Sequence, residues 1–294
     1  MREDARARFA QLERLCAPEV NRTLLQSLRS RARQGEATRE MEFVAANLAR
    51  RAGDLDSARR AFEAYLGAPL QPGVAVPPGL SSGGGFNISP IVAIDGFLPP
   101  VEMEALHRHA CAIEGRFRVA NVNSIAPQRA PDKRDTYITY DFDHLKSFFS
   151  DHVAENLPRL CAALGIPDFE VDRTEIKMTC YLDGGFFKTH ADNHGSFADA
   201  GRAVTWLYYF GDRQPLYRGG ELYLFDTDFD ERGNCGAWLT RIEPTPNRFV
   251  AFPSWFLHAV APTALPCGTF ARGRFAIGGH VRKTADPSAA AWWE

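Results

Sequence analysis

Residues 178–192 read Met-Thr-Cys-Tyr-Leu-Asp-Gly-Gly-Phe-Phe-Lys-Thr-His-Ala-Asp. Aromatic and β-branched residues on both sides of the Gly184–Gly185 pair are typical of two strands connected by a turn. Further apolar runs of strand length follow, separated by Gly, Pro or Asp: Ala203–Phe210, Gly219–Phe225, Phe249–Phe252 and Arg274–Ile277. Many short strands of this kind predict a mainly β fold with supporting helices, a double-stranded β-helix or cupin-like jelly roll.

A candidate metal site lies in the same stretch. His190 and Asp192 are two residues apart, so on a strand both side chains point to one face. His258 lies in a second strand-like run, Arg248–His258, and completes the set. Two imidazoles and one carboxylate are the ligands of an open non-haem Fe(II) site. A His-x-Asp pair alone is more often a solvated loop, but the surrounding strands favour the iron site over that loop or a closed zinc site.

Arg274 is a candidate anion-binding residue. It begins an apolar strand, so the base of its side chain is predicted to be buried. Its guanidinium can bond both oxygens of a carboxylate, such as the distal carboxylate of a 2-oxoglutarate that chelates iron. Arg272 lies two residues earlier on the same face and is the competing candidate. A rim arginine paired with a surface acid is the plainer interpretation of Arg274.

The segment from about Glu175 to His280 resembles the Fe(II)/2-oxoglutarate dioxygenases of the prolyl-hydroxylase type. It is closest in pattern to the hypoxia-inducible-factor prolyl hydroxylases and their bacterial relatives. The matching blocks occur in the family's order: Cys180-Tyr181 with its glycine turn, His190–Asn193, Val204–Tyr209, Gly219–Leu222, Phe252–Val260 and Arg274–Ile277. This shared order is more specific than any single block.

The resemblance implies a role for each matching residue. It implies that Fe(II) is bound by His190, Asp192 and His258. It also implies that Arg274 and Tyr209 contact the distal carboxylate of 2-oxoglutarate, and that Tyr181 lies near the metal and the substrate. As strand aromatics, the two tyrosines have a plainer interpretation as core residues with a bonded hydroxyl.

The implied reaction is the hydroxylation of an unactivated C–H bond. It consumes O2 and 2-oxoglutarate and releases succinate and CO2, and ascorbate is expected as a supportive reductant. Asn193 and Thr205 are expected to orient the metal ligands from behind.

Departures from the family pattern leave the substrate open. Phe187 stands where the hypoxia-type enzymes have tyrosine, and His280 stands where many relatives have tryptophan. The stretch between His258 and Arg274 is longer than in those relatives. The substrate is therefore a prolyl residue of a peptide or protein, or alternatively a free amino acid or natural-product intermediate. A non-catalytic sensor of 2-oxoglutarate or metal is the less favoured alternative.

Composition excludes several classes of partner. The chain has 294 residues, a formal net charge of −2 and a pI near 6.5, which gives no electrostatic case for nucleic acid or an anionic membrane. No apolar run reaches membrane-spanning length, and the N-terminus lacks the apolar core of a signal peptide. The six cysteines show no C-x-x-C spacing and predict reduced thiols in the cytoplasm.

The chain divides into four predicted segments. Residues 1–68 are helical, and Ala45–Phe62 resembles one tetratricopeptide-style helix pair with a turn at Gly53-Asp54. Residues 69–88 form a Pro/Gly-rich linker, residues 89–284 the dioxygenase domain and residues 285–294 a tail. The favoured interpretation of residues 1–68 is a bundle packed on the catalytic domain. Protein docking or a homodimer surface is the alternative.

A basic segment precedes the predicted strands. Residues 115–135 carry Arg116, Arg118, Arg129, Lys133 and Arg134. The plain interpretation is a solvated loop. In related folds a loop here covers the active site, and its cations would then suit an anionic or amide-rich substrate.

Overall fold

The computed structural model describes residues 2–81, 85–120, 132–193, 199–227, 235–266 and 268–284. The α-helices in these ranges are α1 (Arg2–Cys16), α2 (Pro18–Arg31), α3 (Arg39–Arg51), α4 (Leu55–Leu66), α5 (Pro100–Ala112) and α6 (Leu145–Leu164). The strands are β1 (Val74–Val76), β2 (Ile91–Asp95), β3 (Arg118–Val119), β4 (Arg134–Asp135), β5 (Tyr137–Thr139), β6 (Val171–Tyr181), β7 (Phe186–His190), β8 (Arg202–Phe210), β9 (Arg218–Gly219), β10 (Leu222–Thr227), β11 (Cys235–Ile242), β12 (Arg248–Pro253), β13 (His258–Val260), β14 (Thr263–Ala264) and β15 (Arg274–Lys283).

The strands form two large antiparallel sheets. The larger sheet has the order β1–β2–β12–β8–β15–β6–β5–β3, and the smaller has the order β11–β10–β13–β7–β4. Strands β14 and β9 form a short separate ribbon. The chain crosses from one sheet to the other between β4 and β5 and again between β6 and β7, so the sheets meet along this edge. The predicted mainly β jelly roll with supporting helices is confirmed.

Strand alternation separates an apolar face from a polar one. Every second residue of β8, from Val204 to Phe210, is buried in a core shared with α5 and α6. Thr205 and Tyr209 point the other way, into the space between the sheets. The same period on β15 puts Arg274 on this interior side. The polar residues of the larger sheet therefore face the smaller sheet rather than the helices.

Helices α5 and α6 cover the outer face of the larger sheet. The buried residues of α6 recur at helical spacing and include Phe149, Val153, Leu157, Leu160 and Leu164. On α5 the same face carries Met103, Leu106 and Ala110. Phe149 stacks on Trp206 of β8 with ring centroids 6.3 Å apart. This layer holds the sheet rigid behind the interior cavity.

The N-terminal helices pack against the sheets. Helices α3 and α4 pair through small buried residues such as Ala46 and Ala58, and Gly53 makes the turn between them at φ 78°. The Asp54 carboxylate caps α4 by accepting a hydrogen bond from the Ser57 backbone N–H at 3.0 Å. Helix α3 contacts β11 and α4 contacts β1. The tetratricopeptide likeness and the division of the chain at residues 68 and 88 stay predictions.

The segment predicted as a linker contributes a strand. Val74, Ala75 and Val76 are buried as β1, and Val74 pairs with Val92 of β2. Within the Pro/Gly-rich linker predicted for residues 69–88, this strand forms because a β-branched apolar run lies between the turn residues. Residues 82–84 lie outside the described ranges.

No helix in the described part of the chain is long and apolar enough to cross a bilayer.

A buried ion pair ties α3 to the smaller sheet. The Arg50 guanidinium is fully buried and donates to both carboxylate oxygens of Asp226 on β10, with Nη1 and Oδ1 2.8 Å apart. Arg50 also donates to Asn47 Oδ1 at 2.8 Å and to Thr240 Oγ1 at 3.3 Å. Asp226 accepts a further hydrogen bond from the Ser89 backbone N–H at 3.2 Å. Both charges are therefore hydrogen-bonded within the protein, which a buried pair requires.

We expect Arg50→Ala to lower the free energy of unfolding by about 3–5 kcal/mol, since it leaves the Asp226 carboxylate buried without a counter-charge. Urea denaturation measures the loss. Arg31→Ala is the matched control, because Arg31 pairs with Glu36 in solvent, and its expected loss is at most about 1 kcal/mol. Equal losses in the two variants would mean that the buried pair does not hold α3 in place.

Candidate metal and cosubstrate site

The two sequence-predicted histidines and Asp192 form one cluster. His190 ends β7 and His258 begins β13, and the two residues are direct neighbours in the register of these strands. His190 Nε2 lies 3.6 Å from Asp192 Oδ1, and His258 Nε2 lies 3.3 Å from Asp192 Oδ2. One ligand atom from each residue lies within 4.8 Å of the others. Three such donors converging on one point could hold a metal ion on one side and leave its other side open.

The predicted placement of Asp192 on a strand beside His190 was wrong. Strand β7 ends at His190, and Asp192 lies in the bend that follows. The backbone N–H groups of Asp192 and Asn193 both donate to the Ser254 carbonyl at 3.0 Å, which draws the chain away from the sheet. The Asn193 side chain donates to the backbone carbonyls of Ala200 and Arg202, so it fixes the loop rather than the cluster.

The strand-like run Arg248–His258 is likewise two strands, not one. Strand β12 ends at Pro253, whose missing N–H ends the ladder, and β13 begins only at His258. The turn between them supplies the Ser254 carbonyl that holds the Asp192 loop.

Both imidazoles are held in the tautomer that frees Nε2. His190 Nδ1 lies 2.8 Å from the Lys188 carbonyl oxygen, and His258 Nδ1 lies 3.1 Å from the Phe256 carbonyl oxygen. A carbonyl oxygen only accepts, so each Nδ1 carries a proton, and Nε2 is the ring nitrogen directed toward Asp192. Burial, and then the nearby His258, lowers the pKa of His190 to about 4. The His190 ring is therefore neutral at pH 7, the form that binds metal.

Asp192 is oriented by a hydrogen-bonded group on β8. Thr205 Oγ1 donates to Asp192 Oδ2 at 2.8 Å, and it lies 2.9 Å from Ser254 Oγ and 3.2 Å from His280 Nδ1. Burial alone would raise the pKa of Asp192, but the adjacent His280 and His258 hold this pKa well below its usual range. The Asp192 carboxylate is therefore ionised, and the hydrogen bond from Thr205 fixes its orientation. This is the supporting role that was predicted for Thr205.

Arg274 lies in the same interior with a free hydrogen-bonding face. Its side chain is buried, and Nε donates to the Gly220 carbonyl at 2.8 Å. The guanidinium carbon lies 4.8 Å from the Tyr181 ring centroid and 4.9 Å from that of Tyr209. Arg274 Nη2 and the Tyr209 hydroxyl are buried with no hydrogen-bond partner among the described residues. A cation and a hydroxyl left without protein acceptors fit the carboxylate of a ligand.

Gly220 allows the Arg274 side chain to pack directly against the backbone that precedes β10. Its φ is 71°, and a Cβ there would lie 2.8 Å from Arg274 Cδ. The glycine pair before β10 is therefore required by the arginine as well as by the turn. Arg272, the competing candidate, lies in a one-turn helix outside the cavity and bonds Asp212 Oδ2 at 2.6 Å at the surface.

Three further residues line the cavity that the triad and Arg274 share. This cavity encloses about 510 Å³ including the solvent at its mouth. Sequence reasoning did not assign Lys177 or His280 to its wall, and it placed Arg134 only in a basic loop that could cover the active site. His280 is buried, and its Nε2 has no hydrogen-bond partner among the described residues. The two-residue period of β6, counted back from Tyr181, is the signal that could have placed Lys177 in the wall.

The chain is similar in sequence to known Fe(II)/2-oxoglutarate oxygenases. Residues 176–282 match the family described as the 2OG-Fe(II) oxygenase superfamily. The chain is 28% identical over 193 residues to an uncharacterised PKHD-type hydroxylase of Synechocystis, a match that covers 65% of this chain and 62% of the relative. The chain thus spans about three fifths of the length of this curated relative. The family implies Fe(II) and 2-oxoglutarate as cofactors, which suits the donors described above.

Two solved structures share the fold. A prolyl 4-hydroxylase from Pseudomonas putida matches with a TM-score of 0.50 at 18% identity, over 66% of this chain and 93% of that protein. A prolyl hydroxylase from Trichoplax adhaerens, solved with a peptide fragment of hypoxia-inducible factor, matches with a TM-score of 0.50 at 21% identity, over 66% of this chain and 83% of that protein. The predicted resemblance to Fe(II)/2-oxoglutarate oxygenases with the prolyl-hydroxylase fold is therefore confirmed.

The Thr205 contact gives a test of the metal centre. We expect Thr205→Val to weaken Mn(II) binding by about 10- to 100-fold, because the Asp192 carboxylate loses the donor that fixes its orientation. Calorimetric titration of the metal-free protein measures the affinity. Thr284→Val is the matched control, since Thr284 is exposed at the end of β15 and should bind Mn(II) like the wild type. Unchanged affinity in Thr205→Val would contradict a supporting role.

Proposed function

We propose that the protein is an Fe(II)- and 2-oxoglutarate-dependent dioxygenase that hydroxylates an unactivated C–H bond and releases succinate and CO2. One observation supports this above the others. Buried donors without protein acceptors, Arg274 Nη2 and the Tyr209 hydroxyl, lie in the same interior as the His–Asp–His cluster. A metal site alone gives no reason for a buried guanidinium that lacks a protein partner. A dicarboxylate that binds the metal with one end and the guanidinium with the other end supplies the missing partner.

Each residue of the site has a distinct task in this proposal. His190, Asp192 and His258 would hold Fe(II) through Nε2 and carboxylate atoms, with Thr205 fixing the carboxylate. Arg274 and Tyr209 would bind the distal carboxylate of 2-oxoglutarate and so align its keto acid with the metal. When bound, iron and 2-oxoglutarate supply the O2-dependent oxidation of the substrate C–H bond.

The apolar wall of the cavity limits water. Phe187, Leu222 and Val260 line it beside the metal cluster, and the Phe187 ring stacks on the His190 ring with centroids 3.6 Å apart. Exclusion of bulk water from the metal would favour attack on the substrate over side reactions. Phe187, a departure from the family pattern, adds an apolar surface where the relatives have a phenol.

Two substrate classes fit this chemistry. The Trichoplax relative binds a peptide, which supports a prolyl residue in a polypeptide as one substrate of this chain. A free amino acid or natural-product intermediate is the second, and the cationic residues of the cavity wall favour it. Pools of prolyl peptides and of free amino acids therefore belong in the same assay.

The proposal predicts succinate formation that depends on Arg274. In an assay with Fe(II), ascorbate, O2 and 2-oxoglutarate, we expect Arg274→Gln to raise the KM for 2-oxoglutarate by roughly tenfold or more, because charge-assisted hydrogen bonds to the distal carboxylate are lost. His190→Ala should abolish succinate formation, because the metal loses a ligand.

Arg272→Gln is the matched control for the arginine, because Arg272 lies outside the cavity and pairs with Asp212. It should retain the wild-type KM. Binding of 2-oxoglutarate without succinate in every substrate pool would contradict the dioxygenase proposal and indicate a sensor. Equal effects of the two arginine changes would contradict the assignment of Arg274.

A further inference from the structure

Two cations lie in the cavity wall beside the metal cluster. Lys177 on β6 and Arg134 on β4 come from different sheets, and both line the cavity that contains His190, Asp192 and Arg274. Arg134 is 8% exposed, and its guanidinium carbon lies 4.6 Å from the Phe187 ring centroid. Lys177 is half-buried. Their position at the junction of β4, β5 and β6 brings two positive side chains to one wall.

No protein carboxylate forms a direct ion pair with these cations in the described part of the chain. Neither residue is within 4.0 Å of a carboxylate oxygen there, and Arg134 Nε is buried without a hydrogen-bond partner. Glu175, the nearest acid on β6, is already shared by Arg202 at 2.7 Å and Arg282 at 2.9 Å. Burial, and then the charge of Arg134, lowers the pKa of Lys177 to about 8, and the more remote carboxylates of Asp192 and Glu175 only partly oppose this shift.

Both cations approach the metal side of the cavity: Lys177 by its strand register, and Arg134 through the Phe187 ring, which stacks on His190. Tyr181 pairs with Arg274 in the register of β6 and β15, whereas Lys177 pairs with Gly278. Four strand residues separate the two levels, about 13 Å along the strand. His280, two residues beyond Gly278, contacts Thr205 of the metal cluster. When the distal carboxylate of 2-oxoglutarate is bound to Arg274, it cannot also pair with Lys177 and Arg134.

The charges of the loaded site leave these cations unbalanced. Given the proposed function, the distal carboxylate of 2-oxoglutarate balances Arg274, and Asp192 together with the other carboxylate of 2-oxoglutarate balances the two positive charges of Fe(II). Lys177 and Arg134 then have no counter-charge, which is costly in a half-enclosed site. We infer that the substrate carries a carboxylate group, which Lys177 and Arg134 bind beside the metal. This inference rests on the proposed function.

A matched pair of small probes tests this inference. Propionate and propionamide have nearly the same shape and differ in charge. We titrate each into protein loaded with Zn(II) and 2-oxoglutarate, which occupy the metal and the Arg274 end, and follow binding by ligand-observed NMR. We expect propionate to bind roughly tenfold or more tightly than propionamide, and Lys177→Met and Arg134→Gln each to remove most of this preference.

Lys283→Met and Arg213→Gln are the matched controls, because both residues are exposed and distant from the cavity, and they should keep the preference. Equal binding of the two probes to the wild type overturns the inference without reference to any variant. A preference that persists in Lys177→Met and Arg134→Gln, or that appears only when 2-oxoglutarate is omitted, overturns it too, because the anion then binds the metal or Arg274.

The same titrations separate this inference from the proposed function. Binding of 2-oxoglutarate to the Zn(II)-loaded protein is measured first, and its absence would count against the dioxygenase proposal itself. If 2-oxoglutarate affinity falls as much in Lys177→Met as in Arg274→Gln, the cations serve the cosubstrate and the inference is wrong. Succinate formation then distinguishes two sources of such a carboxylate. Free amino acids supply an α-carboxylate, whereas C-terminally amidated peptides supply only the carboxylates of acidic side chains.

Discussion

The site depends on the two-residue alternation of three neighbouring strands, β6, β8 and β15. Their antiparallel register sends every second side chain into the core under α5 and α6, and the remaining ones into the space between the sheets. This constraint brings Thr205, Tyr209 and Arg274 to one interior, although they are far apart in sequence. A one-residue slip of β15 would bury Arg274 among phenylalanines and remove its guanidinium from the cavity. The chemistry is therefore set by strand register before any ligand is considered.

The charges of the molecule divide into two kinds. Arg50 and Asp226 are completely buried and satisfy each other, so this pair joins the N-terminal helices to the smaller sheet. Arg274, Arg134 and Lys177 lie in the cavity wall, and none of them has a carboxylate oxygen within 4.0 Å among the described residues. A fold tolerates unpaired buried cations where a ligand supplies the missing charge, and such groups concentrate at functional sites. Both proposals, a cosubstrate carboxylate at Arg274 and a substrate carboxylate at Lys177 and Arg134, rest on this distribution of unpaired charge.

Local sequence pattern was sufficient for the elements and for much of the site. Alternation and residue type predicted β8, β12 and the start of β15, with the base of the Arg274 side chain buried. The place of Tyr209 beside the cosubstrate came only from the family resemblance. Position along the chain could not predict that Asp192 leaves the strand after His190, because the Ser254 carbonyl that captures its backbone comes from a turn about sixty residues later. Contacts between remote segments also brought Arg134 to the metal side of the cavity. No short-range pattern contains such pairings, since they arise only when the two sheets close on each other.

We propose one cavity that holds a metal at one end and the distal carboxylate of 2-oxoglutarate at the other. A crystal structure of the protein grown without O2, with Mn(II) and 2-oxoglutarate, would show both positions. We expect the metal on His190, Asp192 and His258, and the distal carboxylate within hydrogen-bond distance of Arg274 Nη2 and the Tyr209 hydroxyl. A metal bound elsewhere, or a distal carboxylate away from Arg274, would contradict this account of the site.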